Sequence, residues 1–327
     1  MPTQPVRFLA TVAVLVLSLP LLFFVFRQQP LQECRPSVCV PQSRADARCH
    51  GTVGVTCYFP VAGAKHSNKS YAKWISNFFR MIGNASFVIY TAKEYTDSLQ
   101  PRAENSNIRF VTAYSSPFEF PPIKPFVADY KTWQHDADPE KNIHVPELYA
   151  IWNGKEFMVA NAIAQSMFPP ACSYYWVDIG SWRDDPALPS QGQWPQADRV
   201  AALERASAFD QPESKVILEM VDYSAAYFAG GFFGGSSAAL LWFAHAFYTL
   251  HSEMILQRKF VGKDQTLIRQ LALALPHRFL IIKGYSSNTN PWFYFQPFFL
   301  NPVAGSNISG DRELHLLSDL LDESARL

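Results

Sequence analysis

An acid and an arginine lie close together where an apolar run breaks off. From Ser173 the chain reads Ser-Tyr-Tyr-Trp-Val-Asp-Ile-Gly-Ser-Trp-Arg-Asp-Asp, ending at Asp185. Tyr174 to Val177 is aromatic and β-branched, the composition of a short buried strand. The run stops at Asp178, and Gly180, Arg183, Asp184 and Asp185 follow. In open α/β sheets ligands sit in the crevice beyond the carboxyl ends of the strands. A carboxylate in that place, with a guanidinium close behind it, suits a metal–phosphate ligand. The same letters also describe an ordinary strand closed by an Asx-type turn.

The elements that would hold these groups are readable from periodicity. The length allows one large or two small domains. Lysine plus arginine balance aspartate plus glutamate, 28 against 28, so nothing points to nucleic acid as a partner. Aromatics at 15 % with 24 prolines suit a compact, loop-rich globule rather than a disordered chain. Residues 8–26 are uncharged and almost wholly apolar between Arg7 and Arg27, about the length of a membrane-spanning helix. A cleaved signal peptide is the competing reading. No small-x-small cleavage site follows the run, which favours an uncleaved anchor. That gives a cytosolic tail at 1–7, an anchor at 8–26, a stem at 27–50, a luminal body at 51–310 and a C-terminal helix at 311–327. Sequons at Asn68, Asn84 and Asn307 agree with a luminal body. So do five cysteines, Cys34, Cys39, Cys49, Cys57 and Cys172; their odd number leaves one thiol unpaired or bridging chains.

Within the body, 51–59 reads as a first strand and 69–82 as an amphipathic helix. Residues 86–91 and 108–112 read as the second and third strands. Strand, helix, strand with short links implies parallel pairing. The proline-rich stretch 117–147 reads as a long loop or small insertion, 144–168 as one helix, and 215–221 as another strand. Residues 225–250 hold no charge except His245, but four glycines make a loop more natural there than a membrane helix. A buried helix over 237–258, a helix through Ala274 and a last strand at 278–283 complete the body, followed by an aromatic coil over 285–302.

Three motifs now carry a resemblance. They are Leu148-Tyr-Ala-Ile-Trp-Asn-Gly-Lys155, Tyr175-Trp-Val-Asp-Ile-Gly-Ser-Trp-Arg183 and Phe228-Ala-Gly-Gly-Phe-Phe-Gly-Gly235, followed by Gly262-Lys-Asp-Gln265. In this order they resemble the HtrL/YibB-like proteins, a group assigned to the GT-A fold of nucleotide-sugar glycosyltransferases. The likeness spans roughly 51–283. It implies an α/β fold with a Rossmann-like, mostly parallel sheet flanked by helices, placed behind an N-terminal transmembrane anchor. It also implies a single-pass type II protein of the Golgi or ER membrane. Its partners would be a nucleotide sugar and a glycan or glycoconjugate acceptor.

The chemistry of transfer then distributes roles. The leaving diphosphate must be neutralised, usually by Mn²⁺ or Mg²⁺ on carboxylates. Asp178 is the candidate ligand. The fold's metal motif places two aspartates one residue apart, and here the second position is Gly180. Arg183 or Lys155 is the alternative source of positive charge. Asp136-Ala-Asp138 is a literal Asp-x-Asp, but no buried strand precedes it. Gly230, Gly231, Gly234 and Gly235 would bring backbone N–H groups close to a sugar, or else pack a helix on a sheet. Asp264 is a candidate base for the acceptor hydroxyl, with Gln265 as a hydrogen-bonding partner; a plain helix cap is the other reading of Asp264. Thr56, Tyr90 and Thr91 at strand ends should flank the nucleotide base. Trp182, Trp194 and Trp292 are candidates for an acceptor platform, and His245 and His251 read as core. The competing function is a carbohydrate- or nucleotide-sugar-binding protein of the same fold without turnover, which the missing second aspartate favours.

Overall fold

A computed structural model describes residues 51–63, 66–99, 107–168, 171, 173–183, 194–208, 211, 214–222, 225–283, 290–300 and 314–324. The expected tail, anchor and stem, Asn307, Asp184, Asp185 and every cysteine but Cys57 lie outside them. Among the described residues no helix is long and apolar enough to cross a membrane.

In chain order the body runs β1 (Thr52–Tyr58), α1 (Asn68–Ile82), β2 (Ser86–Thr91), β3 (Ile108–Val111), α2 (Pro146–Trp152), α3 (Lys155–Gln165) and β4 (Ser173–Val177). It continues with α4 (Ala197–Ala206), β5 (Val216–Asp222), β6 (Tyr227–Ser236), α5 (Ser237–Leu256) and α6 (Asp264–Ala274). Then come β7 (Phe279–Ile282), α7 (Phe295–Leu300), β8 (Leu314–Leu316) and α8 (Leu317–Ser324). The strands form one sheet in the order β3-β2-β1-β4-β6-β5-β7-β8. Pairings β1–β2, β1–β4, β2–β3 and β5–β7 are parallel; β4–β6, β5–β6 and β7–β8 are antiparallel. The sheet is therefore more mixed than the mostly parallel one expected.

Alternation along the strands makes two cores, one on each face. Val53, Val55, Tyr174, Trp176, Leu218 and Phe233 face α3, α5 and α6. Phe87, Ile89, Tyr175, Val177, Ile217 and Phe232 face α1, α4 and α7. The α1 helix starts where Ser67 accepts a hydrogen bond from the Ser70 amide.

The glycine-rich stretch read as a loop is strand β6, paired with β4 over 232–236 and irregularly with β5. Gly234 lies opposite Tyr175 in the ladder, and a Cβ there would come within 2.1 Å of that ring. The glycine is what lets the aromatic lie flat across its neighbour, a packing reason that leaves no trace in the strand's own sequence. The helix expected over 144–168 is broken at Asn153. The Tyr248 hydroxyl donates to the Asn153 carbonyl at 2.8 Å, and the hydroxyl oxygen accepts from the Phe157 amide at 2.9 Å. The Asn153 side chain donates to Tyr130 and to the Val261 carbonyl, both at 2.8 Å. These contacts start a second helix at Lys155. Residues 117–147 are short helical turns, and the C-terminal segment contributes a strand, β8, ahead of its helix.

Glu219 is buried on the second face of β5 and accepts from the Phe295 amide at 2.9 Å, tying α7 to the sheet. Burial pushes its carboxyl up from 4.5 to about 8, against the pull of the Phe295 and Tyr294 amides. The folded state thus holds a proton that the unfolded chain releases near its ordinary value. Stability should fall as pH rises from about 4.5 to about 8, by on the order of 5 kcal/mol, and level off above. Urea unfolding at pH 5, 6.5 and 8 reads this directly. Glu219→Gln, which keeps the acceptor and cannot ionise, should flatten the profile; parallel profiles for the two proteins would refute the assignment.

Candidate functional site

The chain order of the sheet reverses between β1 and β4: β2 and β3 lie to one side, and β4 is laid down on the other. At such a switch point the connections leave in opposite directions and open a crevice at the carboxyl ends. A cleft lies there. Tyr58 and Phe59 follow β1, and Asp178, Gly180, Ser181 and Arg183 follow β4. Trp74 of α1, Trp152 of α2 and Phe293 close its sides.

Asp178 is fixed at the crevice by its own backbone and by one neighbour. Its amide donates to the Gly231 carbonyl at 3.0 Å, and its carbonyl accepts from the Ser181 amide at 3.0 Å. Its Oδ1 accepts the Trp176 indole N–H at 2.8 Å. The carboxylate remains 38 % exposed, open to the cleft.

Behind it lies a buried ammonium. Lys155 Nζ is 2.7 Å from the Gly230 carbonyl, 2.9 Å from Asp264 Oδ2 and 3.6 Å from Asp178 Oδ1. Burial alone would push this lysine down. The Asp178 and Asp264 carboxylates outweigh that and hold it above its ordinary value. Its neighbour Glu156, also buried, is pushed well up, by burial first and then by Asp264. Gly230 is required by this packing, because a Cβ would fall 2.7 Å from Asp264 Oδ2. Asp264 is the first residue of α6, where its charge also meets the positive end of the helix.

Several expected residues converge here: Asp178, Lys155, Gly230, Gly231, Asp264 and Gln265. Gln265 donates to the Phe228 carbonyl at 3.1 Å and accepts from the Tyr227 hydroxyl at 3.1 Å. Arg183 reaches the same cleft, with its guanidinium 4.8 Å from the Trp74 ring centre and 5.0 Å from that of Phe293.

Others have different surroundings. Asp264, expected to meet an acceptor, is buried under Lys155. Lys155 Nζ donates to the Gly230 carbonyl and to Asp264 Oδ2 and lies 3.6 Å from Asp178 Oδ1, so its charge is engaged inside the protein rather than offered to a phosphate. Tyr90 is fully buried, its hydroxyl shared between the Met158 carbonyl and Asn161, so it has no face to offer a base. Thr56 is buried within β1, and Thr91 donates to the Tyr58 carbonyl at 2.7 Å. Gly234 and Gly235 pack against Tyr175 and the Lys215 carbonyl. Trp182 and Trp194 are core, whereas Trp292 is exposed and rests edge-on to Tyr227. Asp138 is a structural hub that accepts from the Glu140 amide, His144 and Tyr149, while Asp136 is exposed. Cys57 is a buried free thiol. His251 is buried and bonded to Tyr130. Sequence reading did not single out His66, Tyr71 and Trp74, whose rings meet edge to face at the cleft wall. Tyr71 and Trp74 read as the core stripe of α1, and only the crevice gives them a second role.

The described residues do not suit a divalent metal. Asp178 offers one carboxylate, position 180 is glycine, and an ammonium lies between Asp178 and Asp264. No three His, Cys, Asp or Glu side chains gather as a ligand set among the described residues.

No known family matches the chain, and neither does any curated protein, so neither comparison supports the HtrL/YibB-like resemblance. Among solved structures the chain is similar to mouse xyloside xylosyltransferase 1 in its apo form, at 9% identity and a TM-score of 0.42 over 82% of this chain and 97% of that one. It is also similar to 4-diphosphocytidyl-2C-methyl-D-erythritol synthase from Anaerococcus prevotii, at 9% identity and a TM-score of 0.34 over 78% of this chain and 100% of that one.

Proposed function

We propose that the crevice between β1 and β4 binds the diphosphate of a nucleotide sugar, and that the protein is a GT-A-type glycosyltransferase acting on a glycan or glycoconjugate. The observation that carries this reading is the pairing of an exposed carboxylate, Asp178, with an exposed guanidinium, Arg183, at the switch point of the sheet. Arg183 meets the diphosphate as it departs with the bonding electrons of the anomeric C–O bond. In an inverting transfer the acceptor oxygen attacks the anomeric carbon, and its proton passes to a carboxylate. Asp178 is the carboxylate open to the cleft, and Asp264 holds Lys155 behind it. The aromatic wall of Tyr71 and Trp74 supplies faces for a base or a sugar.

We place the body in the lumen of the Golgi or ER, behind the 8–26 anchor. Sequon residues Asn68 and Asn84 are both exposed, as glycosylation requires.

A panel of UDP- and GDP-sugars scored by thermal stabilisation tests the reading. A ligand at 100 times its Kd stabilises by about 2.7 kcal/mol, which is readily measured. Silence across the panel would overturn it. A binding protein without turnover is the second reading, favoured by the burial of Asp264. It predicts stabilisation with neither transfer nor hydrolysis. Turnover that Asp178→Asn abolishes while nucleotide binding persists decides for the enzyme.

A further inference from the structure

Asp178 and Asp264 come from distant parts of the chain and meet across a single ammonium. Lys155 Nζ lies 2.9 Å from one carboxylate and 3.6 Å from the other, and its third contact is the Gly230 carbonyl. A divalent cation shared by these two aspartates would need their oxygens at roughly 2.0–2.6 Å, in the space that the ammonium fills. Asp178 Oδ1 is further engaged by the Trp176 indole. The Trp176 ring also lies beneath Lys155, 5.8 Å from Nζ to its centre, so the cation is walled in by the core of the sheet.

We propose that Lys155 is the resident cation of this site: its ammonium takes the place of a divalent metal between Asp178 and Asp264, and a diphosphate is recognised there by Arg183 without a metal ion. Lys155 is thus a positioning residue, which fixes the Asp178 carboxylate toward the cleft rather than touching the substrate. Two carboxylates set against an ammonium and a guanidinium leave the ionised groups of the crevice balanced, so a diphosphate meets no net repulsion there. The diphosphate half of the proposal rests on the nucleotide-sugar reading, whereas the ion assignment can be tested with no nucleotide at all.

The full chain is titrated with Mn²⁺ by equilibrium dialysis, alone and with UDP, against a protein-free UDP control. Thermal shifts with UDP and with GDP are recorded in EDTA and in Mn²⁺. The wild type should bind no Mn²⁺ at this site, and its nucleotide shift should be the same in both buffers. Lys155→Met, which leaves the carboxylates facing each other without their cation, should bind Mn²⁺ roughly tenfold or more tightly than the wild type. Wild-type Mn²⁺ binding that Asp178→Asn removes overturns the proposal, and so does a nucleotide shift seen only with Mn²⁺; both leave the transferase reading standing. If neither nucleotide shifts the protein in either buffer, the transferase reading and the diphosphate half fall together, and the Mn²⁺ titration alone decides the ion assignment. The wild-type measurements decide even if Lys155→Met fails to fold.

Discussion

Lys155→Met is expected to lower the free energy of unfolding by about 3–5 kcal/mol, the usual cost of removing one partner from a buried ion pair. Methionine fills nearly the same volume, so the loss is electrostatic rather than a cavity. Asp264 would keep its charge in a buried setting with its cation gone, and Gly230 would lose the donor to its carbonyl. The pH course follows from signs. Lys155 is held above its ordinary value, so in the wild type its contribution is intact below about 10.5 and fades only as pH rises through the folded value. The double variant Lys155→Met/Asp264→Leu should recover much of the loss, because removing both charges together is far cheaper than removing one. Urea unfolding of the wild type, Lys155→Met, Asp264→Leu and the double variant closes the cycle. A single-variant loss below about 1 kcal/mol would mean that the ammonium does not clamp the site.

How much of this could be read from the sequence depends on whether the deciding partner was near in the chain. Strands β1, β2, β4 and β7 were legible because alternating or continuous apolar runs say which residues are buried without saying by what. Asp178 was legible for the same reason, since an apolar run that stops at a carboxylate marks a strand end. The break at Asn153 was not, because the groups that end the helix there are Tyr248 and Val261, far along the chain. Without that break Lys155 reads as one more residue on a long helix rather than the start of a new one. The β6 glycines misled in the same way: a glycine string says loop until the rings that lie over it are known. The closeness of Asp264 to Asp178 depends on β6 running antiparallel between β4 and β5, which puts Gly230 and Gly231 at the crevice edge. That inserted strand is a property of the whole sheet, and no local pattern announces it. Local chemistry found the groups, and topology decided which of them meet.

Arg183→Ala should weaken nucleotide binding by about tenfold to more than a hundredfold, the equivalent of roughly 1.5–3 kcal/mol for hydrogen bonds to a charged group. The guanidinium is presented by stacking. Its central carbon lies 4.8 Å from the Trp74 ring centre and 5.0 Å from that of Phe293, and its Nε donates to the Gly180 carbonyl at 3.4 Å. These contacts hold the side chain at the cleft, where a guanidinium can meet two phosphate oxygens at once. Folding should change little, because the side chain is exposed and its aromatic contacts are worth about 0.5–1 kcal/mol each at such a site. Arg183→Lys separates charge from shape. Lysine keeps the cation but loses both the fork and the flat face that the two rings grip, so it should restore only a small part of the affinity. The readout is the Kd of UDP and GDP by calorimetry at two salt concentrations. Loss of affinity in Arg183→Ala should be steeper at low salt, where the guanidinium is least screened. Full recovery with lysine would show that a point charge suffices and would end the bidentate role. Unchanged affinity in Arg183→Ala would place the diphosphate somewhere other than the mouth of β4.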